Sequence, residues 1–418
     1  MACTVRIVGF LGVLTLLTLS ATDSQGDPSR SKPANSVPSK QSFRTLDVTQ
    51  ARADGSTLWV KDDQGRSWPL TVDVALQRSA QRKLASVRPE SGALVAIEFK
   101  TGKIRVFSEW PAPESRDQSL LMGRQFPAAS LFKIVTTAAL VEQARIAPEQ
   151  IVCTEGGMHR IELEHLLAPH EGVVQCRPFI EALGYSRNAA FAQLVHHYLK
   201  PDDLDNYADR FGFGSPLPLE IGIPLGQFSS ETDPLIFARN ATGFTGSTLS
   251  PLGAAYLAYV VANRGRAASL QILENAAPTP LSKGDRFAPI RPETAEVLKR
   301  MMEITVRRGT CWRAFHDEHG RPYLPRVSVA GKTGTLGDLD TTVSWFVGYA
   351  PSQRPEIVVS VILKNGPIWQ KKANEVARQW LVDYFERAKT QPIAKAPLQS
   401  DKTVRASDAV AVAAIPAR

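Results

Sequence analysis

Ser130 and Lys133 lie three residues apart within the apolar stretch FPAASLFKIV (126–135) and could carry nucleophilic chemistry. On a helix this spacing puts both side chains on one face, so the lysine can reach the serine hydroxyl. Burial penalises the charged form of a lysine and lowers its pKa, and a neutral amine can take a proton from serine. The pair therefore predicts a serine nucleophile with a lysine as its general base.

A second interpretation of Lys133 stays open, in which its ammonium reaches solvent at a helix edge. The spacing itself is not specific, because Ser29 and Lys32 repeat it in a polar, Pro/Ser-rich stretch. Context separates the two pairs: Ser130 is predicted to open a buried helix, with Pro127 favouring its first turn.

Ser186 and Asn188 form a second polar segment, in GYSRNAAFAQLV (184–195). They lie in a break before a helix with apolar periodicity, where Ser or Asn is also common simply as a helix cap. Both interpretations remain open for this segment taken alone.

A third segment, SVAGKTGTLGD (328–338), is predicted to be a strand. Alternation would place Lys332 and Gly334 on one face, so that the missing side chain of Gly334 leaves space beside an ammonium. The hydroxyls of Thr333 and Thr335 would lie nearby. This arrangement suits a substrate carboxylate lying along a strand edge.

The elements around these segments predict an α/β (α+β) fold. A β-hairpin is predicted from ALVAIEF (93–99) and KIRVFSEW (103–110), with its turn at Lys100-Thr101-Gly102, and a mostly helical stretch from Ala128 to about Val261. Further predicted elements are strands at 326–335, 342–350 and 356–364 and an amphipathic helix at 373–389. We expect an antiparallel sheet of about five strands, built from N- and C-terminal strands, flanked by helices and interrupted by a mostly helical subdomain.

Composition and the chain ends limit the class of protein. The chain has 418 residues, of which 43% are hydrophobic and 22% charged, as in ordinary globular proteins. Despite a formal charge of +8, no dense Lys/Arg run is interleaved with aromatics, so no nucleic-acid partner is predicted. One arginine followed by an apolar run of about 15 residues predicts a signal peptide or an N-terminal anchor. An extracytoplasmic location, secreted or anchored to the inner membrane, follows.

The predicted organisation has five parts. In chain order they are a signal peptide or anchor (1–22), a polar Pro/Ser-rich linker (23–42), a short N-terminal region (43–90), a catalytic domain (91–388) and a disordered tail (389–418). Cys153 and Cys176 bracket a loop-like segment and could pair in an oxidising compartment, which would leave Cys311 over.

Taken together, the three motifs Ser-x-x-Lys, Ser-x-Asn and Lys-Thr-Gly-Thr resemble the active-site signature of the penicillin-binding protein transpeptidase domain family. Members of this family, in the penicilloyl serine transferase superfamily, are serine acyl-transferases acting on D-Ala-D-Ala. Further similar segments lie at 70–84, 92–104, 250–265 and 329–351, so the resemblance covers roughly residues 65–388.

The resemblance implies a role for each motif residue. Ser130 would be the nucleophile and Lys133 the proton acceptor. Ser186 would relay a proton, and Lys332 would supply positive potential. Substrate binding would involve Asn188, Thr333, Gly334 and Thr335. Backbone N–H groups of Ser130 and Thr335 would form the oxyanion hole. No metal or organic cofactor is implied.

The resemblance also implies partners. The ligands would be peptidoglycan stem peptides and β-lactam antibiotics. The stretch before Leu70 is too short for the glycosyltransferase domain of larger family members, so glycan polymerisation would come from a separate glycosyltransferase. Some relatives have a cysteine near position 153, which favours the disulfide.

Several alternatives remain. A D,D-carboxypeptidase would use water as acceptor, and a non-catalytic penicillin sensor would keep the fold. A serine β-lactamase would need a carboxylate to position a deacylating water, for which Glu220 is the nearest candidate. A metal-dependent hydrolase is the alternative from a different class, suggested by residues whose spacing fits no standard zinc pattern, namely Cys153, His159, His165, His170 and Cys176, and by HDEH (316–319).

Overall fold

A computed structural model of the chain describes residues 46–158, 160–169, 174–281, 286–337, 340–367 and 371–390. The predicted signal peptide and linker lie outside these residues, as does the predicted tail beyond Thr390. Within the described ranges, no helix combines the length and the apolar character needed to cross a membrane.

The helices and strands alternate irregularly along the chain. The helices are α1 (Val74–Val87), α2 (Lys133–Glu142), α3 (Phe179–Gly184), α4 (Asn188–Tyr198), α5 (Pro201–Phe211), α6 (Pro234–Thr242), α7 (Pro251–Ala262), α8 (Pro292–Arg307), α9 (Trp312–Phe315) and α10 (Ala373–Thr390). The strands are β1 (Arg52–Asp54), β2 (Thr57–Lys61), β3 (Ser67–Pro69), β4 (Ser91–Glu98), β5 (Ile104–Trp110), β6 (Phe126–Pro127), β7 (Ile151–Thr154), β8 (Gln175–Pro178), β9 (Gly226–Phe228), β10 (Ser247–Leu249), β11 (Ala330–Gly337), β12 (Thr342–Ala350) and β13 (Ile357–Asn365).

The main sheet has five antiparallel strands in the order β11-β12-β13-β4-β5. It confirms the predicted sheet of N- and C-terminal strands flanked by helices. Strands β4 and β13 meet across the middle, where Leu94 pairs with Val361, although 267 residues separate them in the chain. Because β4, β12 and β13 are buried on both faces, their sequences are nearly continuous apolar runs.

Helices cover both faces of the sheet. Helices α1 and α10 pack on one face, and α7 and α8 on the other. The central helix α7 (PLGAAYLAYVVA) is buried along almost its whole length, which explains why it lacks a polar face. In α10, Trp380 and Leu381 are completely buried, and each such side chain contributes about 1.5–3 kcal/mol by leaving water.

Short strands within the N-terminal region and the middle of the chain were not predicted. Strands β1 to β3 form a small sheet ahead of α1. The stretch expected to be mostly helical also contains a small sheet in the order β6-β10-β9 and the hairpin β7-β8. These strands have two to five residues, too few to show a period-two pattern.

Strand β11 lies at one edge of the main sheet. Of the strands that the structure describes, only β12 pairs with it. Its other edge faces the turn that contains Ser130, since β11 contacts the 3-10 turn Ala129–Leu131. The first and third motifs are therefore neighbours in space.

Candidate active site

Ser130 lies in a single 3-10 turn, Ala129–Leu131, that leads directly into α2 at Lys133. The helix therefore begins three residues later than predicted, and Pro127 belongs to β6, where it pairs with Thr248 of β10, and not to a first helical turn. The pair still meets, because a 3-10 turn aligns side chains three residues apart. The preceding residue, Ala129, has φ of 50°.

Lys133 is completely buried, so the interpretation in which its ammonium reaches solvent is wrong. Its Nζ lies 3.2 Å from Ser130 Oγ and 3.3 Å from both the Oγ and the carbonyl oxygen of Ser186. It also contacts Asn188 Oδ1. The ring centroid of Phe191 lies 5.3 Å from Nζ and closes one side of this cluster.

The contacts of Lys133 fit a neutral amine. Burial, and secondarily the nearby charge of Lys332, lower the pKa of Lys133 well below its ordinary value. A neutral amine has two N–H groups and one lone pair. The carbonyl oxygen of Ser186 and Oδ1 of Asn188 can only accept, so they take the two N–H groups. The lone pair is then available for the hydroxyl proton of Ser130.

Ser186 lies in the tight turn between α3 and α4, and Asn188 follows directly after this turn. Ser186 has φ of 54°, a left-handed conformation that is uncommon for a residue with a side chain. Asn188 is the first residue of α4, but its side chain does not cap the helix. Its Nδ2 donates to the carbonyl oxygen of Met158 at 2.5 Å, while its Oδ1 accepts a hydrogen bond from Lys133 Nζ.

A disulfide hairpin lies beside this turn. Cys153 of β7 and Cys176 of β8 stand directly opposite each other and are joined by a disulfide, while Cys311 is a buried free thiol. Arg187, between the two motif residues, donates to Thr154 Oγ1 at 2.5 Å and to the carbonyl oxygen of Gln175 at 2.9 Å. The hairpin therefore holds the backbone that presents Ser186 and Asn188.

Lys332 of β11 approaches Ser186 from the other side. It is completely buried, and its Nζ donates to Ser186 Oγ at 3.0 Å and to the carbonyl oxygen of Thr333 at 2.6 Å. Burial lowers the pKa of Lys332 to about 7. The hydroxyl of Ser186 thus lies between two lysine amino groups of depressed pKa, a position suited to passing protons.

Gly334 does not leave the space that the sequence led us to expect. A Cβ atom at this position would lie 3.1 Å from the Cβ of Ala129 and 3.4 Å from the Cβ of Trp345. The missing side chain makes room for Ala129, next to the nucleophile, and not for a ligand. Trp345 also donates from Nε1 to the carbonyl oxygen of Pro127 at 3.0 Å, which fastens the strands to the segment before Ser130.

These elements enclose a cleft of about 630 Å³. Predicted site residues that line it are Ser130, Ser186, Asn188, Thr333 and Thr335. Thr310, which the sequence analysis missed, lines it too, and its Oγ1 lies 2.6 Å from Thr333 Oγ1. Nothing in RRGTCW (307–312) signals a role, because the contact joins positions 23 residues apart.

Glu220, the candidate for a β-lactamase-type water, lies elsewhere. Its carboxylate accepts the backbone N–H of Ile272 at 3.1 Å, and burial raises its pKa to about 7. Together with Tyr256 and Arg286 it lines a separate cavity. Among the described residues, Glu220 is not one of those that line the cleft beside Ser130. This placement does not support water activation by Glu220.

The cysteines and histidines suggested for a metal site either make other interactions or lie outside the described ranges. The disulfide removes Cys153 and Cys176 as thiolate ligands. His165 accepts the backbone N–H of Glu162 through Nδ1 at 3.0 Å. His159 and His170 are not described. Across the described part of the chain, no three His, Cys, Asp or Glu residues cluster closely enough to hold a metal ion.

The family of the chain follows from its match to a family model. A model of the penicillin-binding protein transpeptidase domain matches residues 92–382. The chain belongs to this family. This transpeptidase-family chain is 25% identical over 358 residues to the peptidoglycan D,D-transpeptidase PbpA of Mycolicibacterium smegmatis, covering 73% of this chain and 69% of the relative. It is 24% identical over 332 residues to stage V sporulation protein D of Bacillus subtilis, covering 72% and 50%.

Solved structures share the fold of this transpeptidase-family chain. The crystal structure of PBPA from Mycobacterium tuberculosis superposes with a TM-score of 0.58 at 20% identity, covering 75% of this chain and 80% of that one. A peptidoglycan glycosyltransferase from Burkholderia ambifaria gives a TM-score of 0.62 at 20% identity, covering 77% and 98%.

Proposed function

We propose that this chain is a peptidoglycan D,D-transpeptidase that works through an acyl-enzyme on Ser130. The observation that carries the proposal is the position of the Lys133 amino group, buried and within 3.3 Å of the hydroxyls of both Ser130 and Ser186. One amino group can therefore take the proton of the nucleophile and then pass it to the proton relay. Relatives named peptidoglycan D,D-transpeptidases support the choice of substrate.

In the acylation step, neutral Lys133 takes the proton of Ser130 as Oγ attacks the carbonyl carbon of the penultimate D-alanine. The developing oxyanion accepts hydrogen bonds from the backbone N–H groups of Ser130 and Thr335. Each such donor stabilises the transition state by about 3–4 kcal/mol. The C–N bond then breaks. Ser186 gives its proton to the leaving nitrogen and regains one from Lys133, so D-alanine departs and the acyl group stays on Ser130.

In the transfer step, the amine of a second stem peptide attacks the ester carbonyl. Ser186 takes the proton from the attacking nitrogen and passes its own to Lys133, which returns a proton to Ser130 Oγ as the ester bond breaks. During the preceding acylation step, Lys332 supplies the positive potential, and Thr333 and Thr335 hydrogen-bond the C-terminal carboxylate of the donor peptide, which leaves with D-alanine. Asn188 bonds the substrate amide while holding Lys133 through Oδ1.

The reaction takes place outside the cytoplasm, where peptidoglycan lies. The apolar run near the N-terminus would export the chain or anchor it to the membrane, and a separate glycosyltransferase would supply the glycan strands. A disulfide between Cys153 and Cys176 agrees with an oxidising compartment.

Intact-mass spectrometry after incubation with benzylpenicillin tests the nucleophile. We expect one penicilloyl adduct on the wild type and none on Ser130→Ala. Ser29→Ala is the matched control, because Ser29 and Lys32 repeat the motif spacing, and it should acylate like the wild type. An adduct on Ser130→Ala, or none on the wild type, would overturn the proposal.

A donor peptide ending in D-Ala-D-Ala, offered with and without an amine acceptor, tests the acyl acceptor. The transpeptidase should release D-alanine and form a cross-linked product when the amine is present. Release of D-alanine with no cross-linked product under either condition would indicate a carboxypeptidase. Turnover of the penicilloyl-enzyme within seconds would indicate a β-lactamase.

A further inference from the structure

Thr310 touches the third motif from a part of the chain with no motif of its own. It lies between α8, which ends at Arg307, and α9, which begins at Trp312. Its Oγ1 lies 2.6 Å from Oγ1 of Thr333, and both residues line the cleft. Thr333 projects on the opposite face of β11 from Lys332, so this contact is separate from the lysine cluster.

The backbone of Thr310 is held in place by the second motif. Its N–H donates to the carbonyl oxygen of Gly184 at 3.1 Å, and Gly184 lies two residues before Ser186. The preceding Gly309 packs so closely that a Cβ atom there would overlap the same carbonyl oxygen. The 309–310 backbone is therefore held beside the Ser186 turn, and from there the Thr310 side chain reaches Thr333 of β11.

We propose that Thr310 is a positioning residue that directs the hydroxyl proton of Thr333 toward the substrate carboxylate; this rests on the proposed function. Each hydroxyl carries one proton, and either threonine can be the donor in the contact that joins them. A carboxylate can only accept, so when substrate is bound Thr333 donates to it. Thr310 must then donate to Thr333, and the two hydroxyls form a chain that ends on the carboxylate.

Four variants of the full chain test this role through the second-order rate constant of acylation by benzylpenicillin, which carries a carboxylate. Thr310→Val keeps the shape and removes the hydroxyl, and we expect acylation to slow about ten-fold, the loss of roughly one hydrogen bond. Thr310→Ser keeps the hydroxyl and should stay within about three-fold of the wild type. Comparable melting temperatures for these two variants would show that both fold.

A double-variant cycle distinguishes positioning from general support of the site. If Thr310 acts through Thr333, Thr310→Val/Thr333→Val should be no slower than Thr333→Val alone. Equal rates for Thr310→Val and Thr310→Ser, or a full ten-fold loss from Thr310→Val in the Thr333→Val background, would overturn the inference. Acylation of the wild type reports separately on the proposed function, since the inference depends only on ratios between variants.

Discussion

The Nζ atom of Lys133 lies 3.2 Å from the Oγ atom of Ser130, and none of the lysine is exposed to solvent. Burying a charged lysine without its hydration shell is costly, and the side chain avoids most of this cost by giving up its proton. The site uses this cost, because the deprotonated amine is the form that can activate the serine. Stability and reactivity at this position are therefore linked through one proton.

The rate of acylation should depend on pH through Lys133. Because the pKa of Lys133 is lowered well below its ordinary value, the neutral base forms well below pH 10. The rate constant of acylation by benzylpenicillin, measured by stopped-flow from pH 5 to 10, should rise with pH and level off well below pH 10. A single rise near the ordinary lysine pKa of about 10.4 would contradict this assignment.

Replacing Lys332 with alanine should weaken acylation by carboxylate-bearing ligands by at least ten-fold, because a charge-assisted contact and the donor to Ser186 are both lost. Lys100→Ala is the control, since Lys100-Thr101-Gly102 repeats the motif letters in a hairpin turn where the lysine is exposed. Stopped-flow acylation of the two variants is the measurement. Equal rates in both would remove Lys332 from the mechanism.

Lys133 should also make stability depend on pH. Between its lowered folded pKa and an unfolded value of about 10.4, the unfolded chain holds a proton that the folded chain lacks, so stability rises with pH. Lys133→Met abolishes acylation and removes this dependence. Its free energy of unfolding relative to the wild type, from urea titrations, should therefore fall as pH rises from 7 to 10. A constant difference would show that Lys133 keeps its proton on folding.

Gly334→Ala should slow acylation about ten-fold, because small displacements of a reacting group are costly and the new Cβ meets Ala129 beside the nucleophile. Ala129→Gly removes the opposing methyl group at a residue whose φ of 50° suits glycine. The double variant should recover most of the rate in the benzylpenicillin assay. If the double variant recovers none of the lost rate, the added Cβ at position 334 slows acylation by meeting the ligand and not Ala129.

Loss of the disulfide should impair both stability and acylation. A bridge closing a loop of this length contributes about 3 kcal/mol. Cys153→Ser/Cys176→Ser should therefore melt at a lower temperature and acylate more slowly, since the hairpin holds Arg187 between Ser186 and Asn188. Reductant should produce the same change in the wild type and none in the variant. A reduced wild type with full activity would show that the hairpin is held without the bridge.

The sequence predicted what depends on residue type and local pattern. The apolar runs of β4, β12 and β13 could be read from the sequence, and so could Lys133 within an apolar helix three residues after Ser130, because burial determines which residue types surround a position. Contacts that depend on close approach of distant segments were not. Thr310 meets Thr333 only through folding of α8 against β11, and Gly334 accommodates Ala129 across 205 residues of chain.

The main sheet joins β4 and β5 to three strands from the C-terminal part of the chain. Ser130 is therefore synthesised about 200 residues before Lys332. Strand β13, which connects the C-terminal strands to β4, is synthesised after both residues. Pairing over such sequence distances is slow and cannot begin until the last strand is available. Activity is thus withheld during synthesis: an incomplete chain that ends before β11 carries the serine and its base but lacks Lys332 and Thr333.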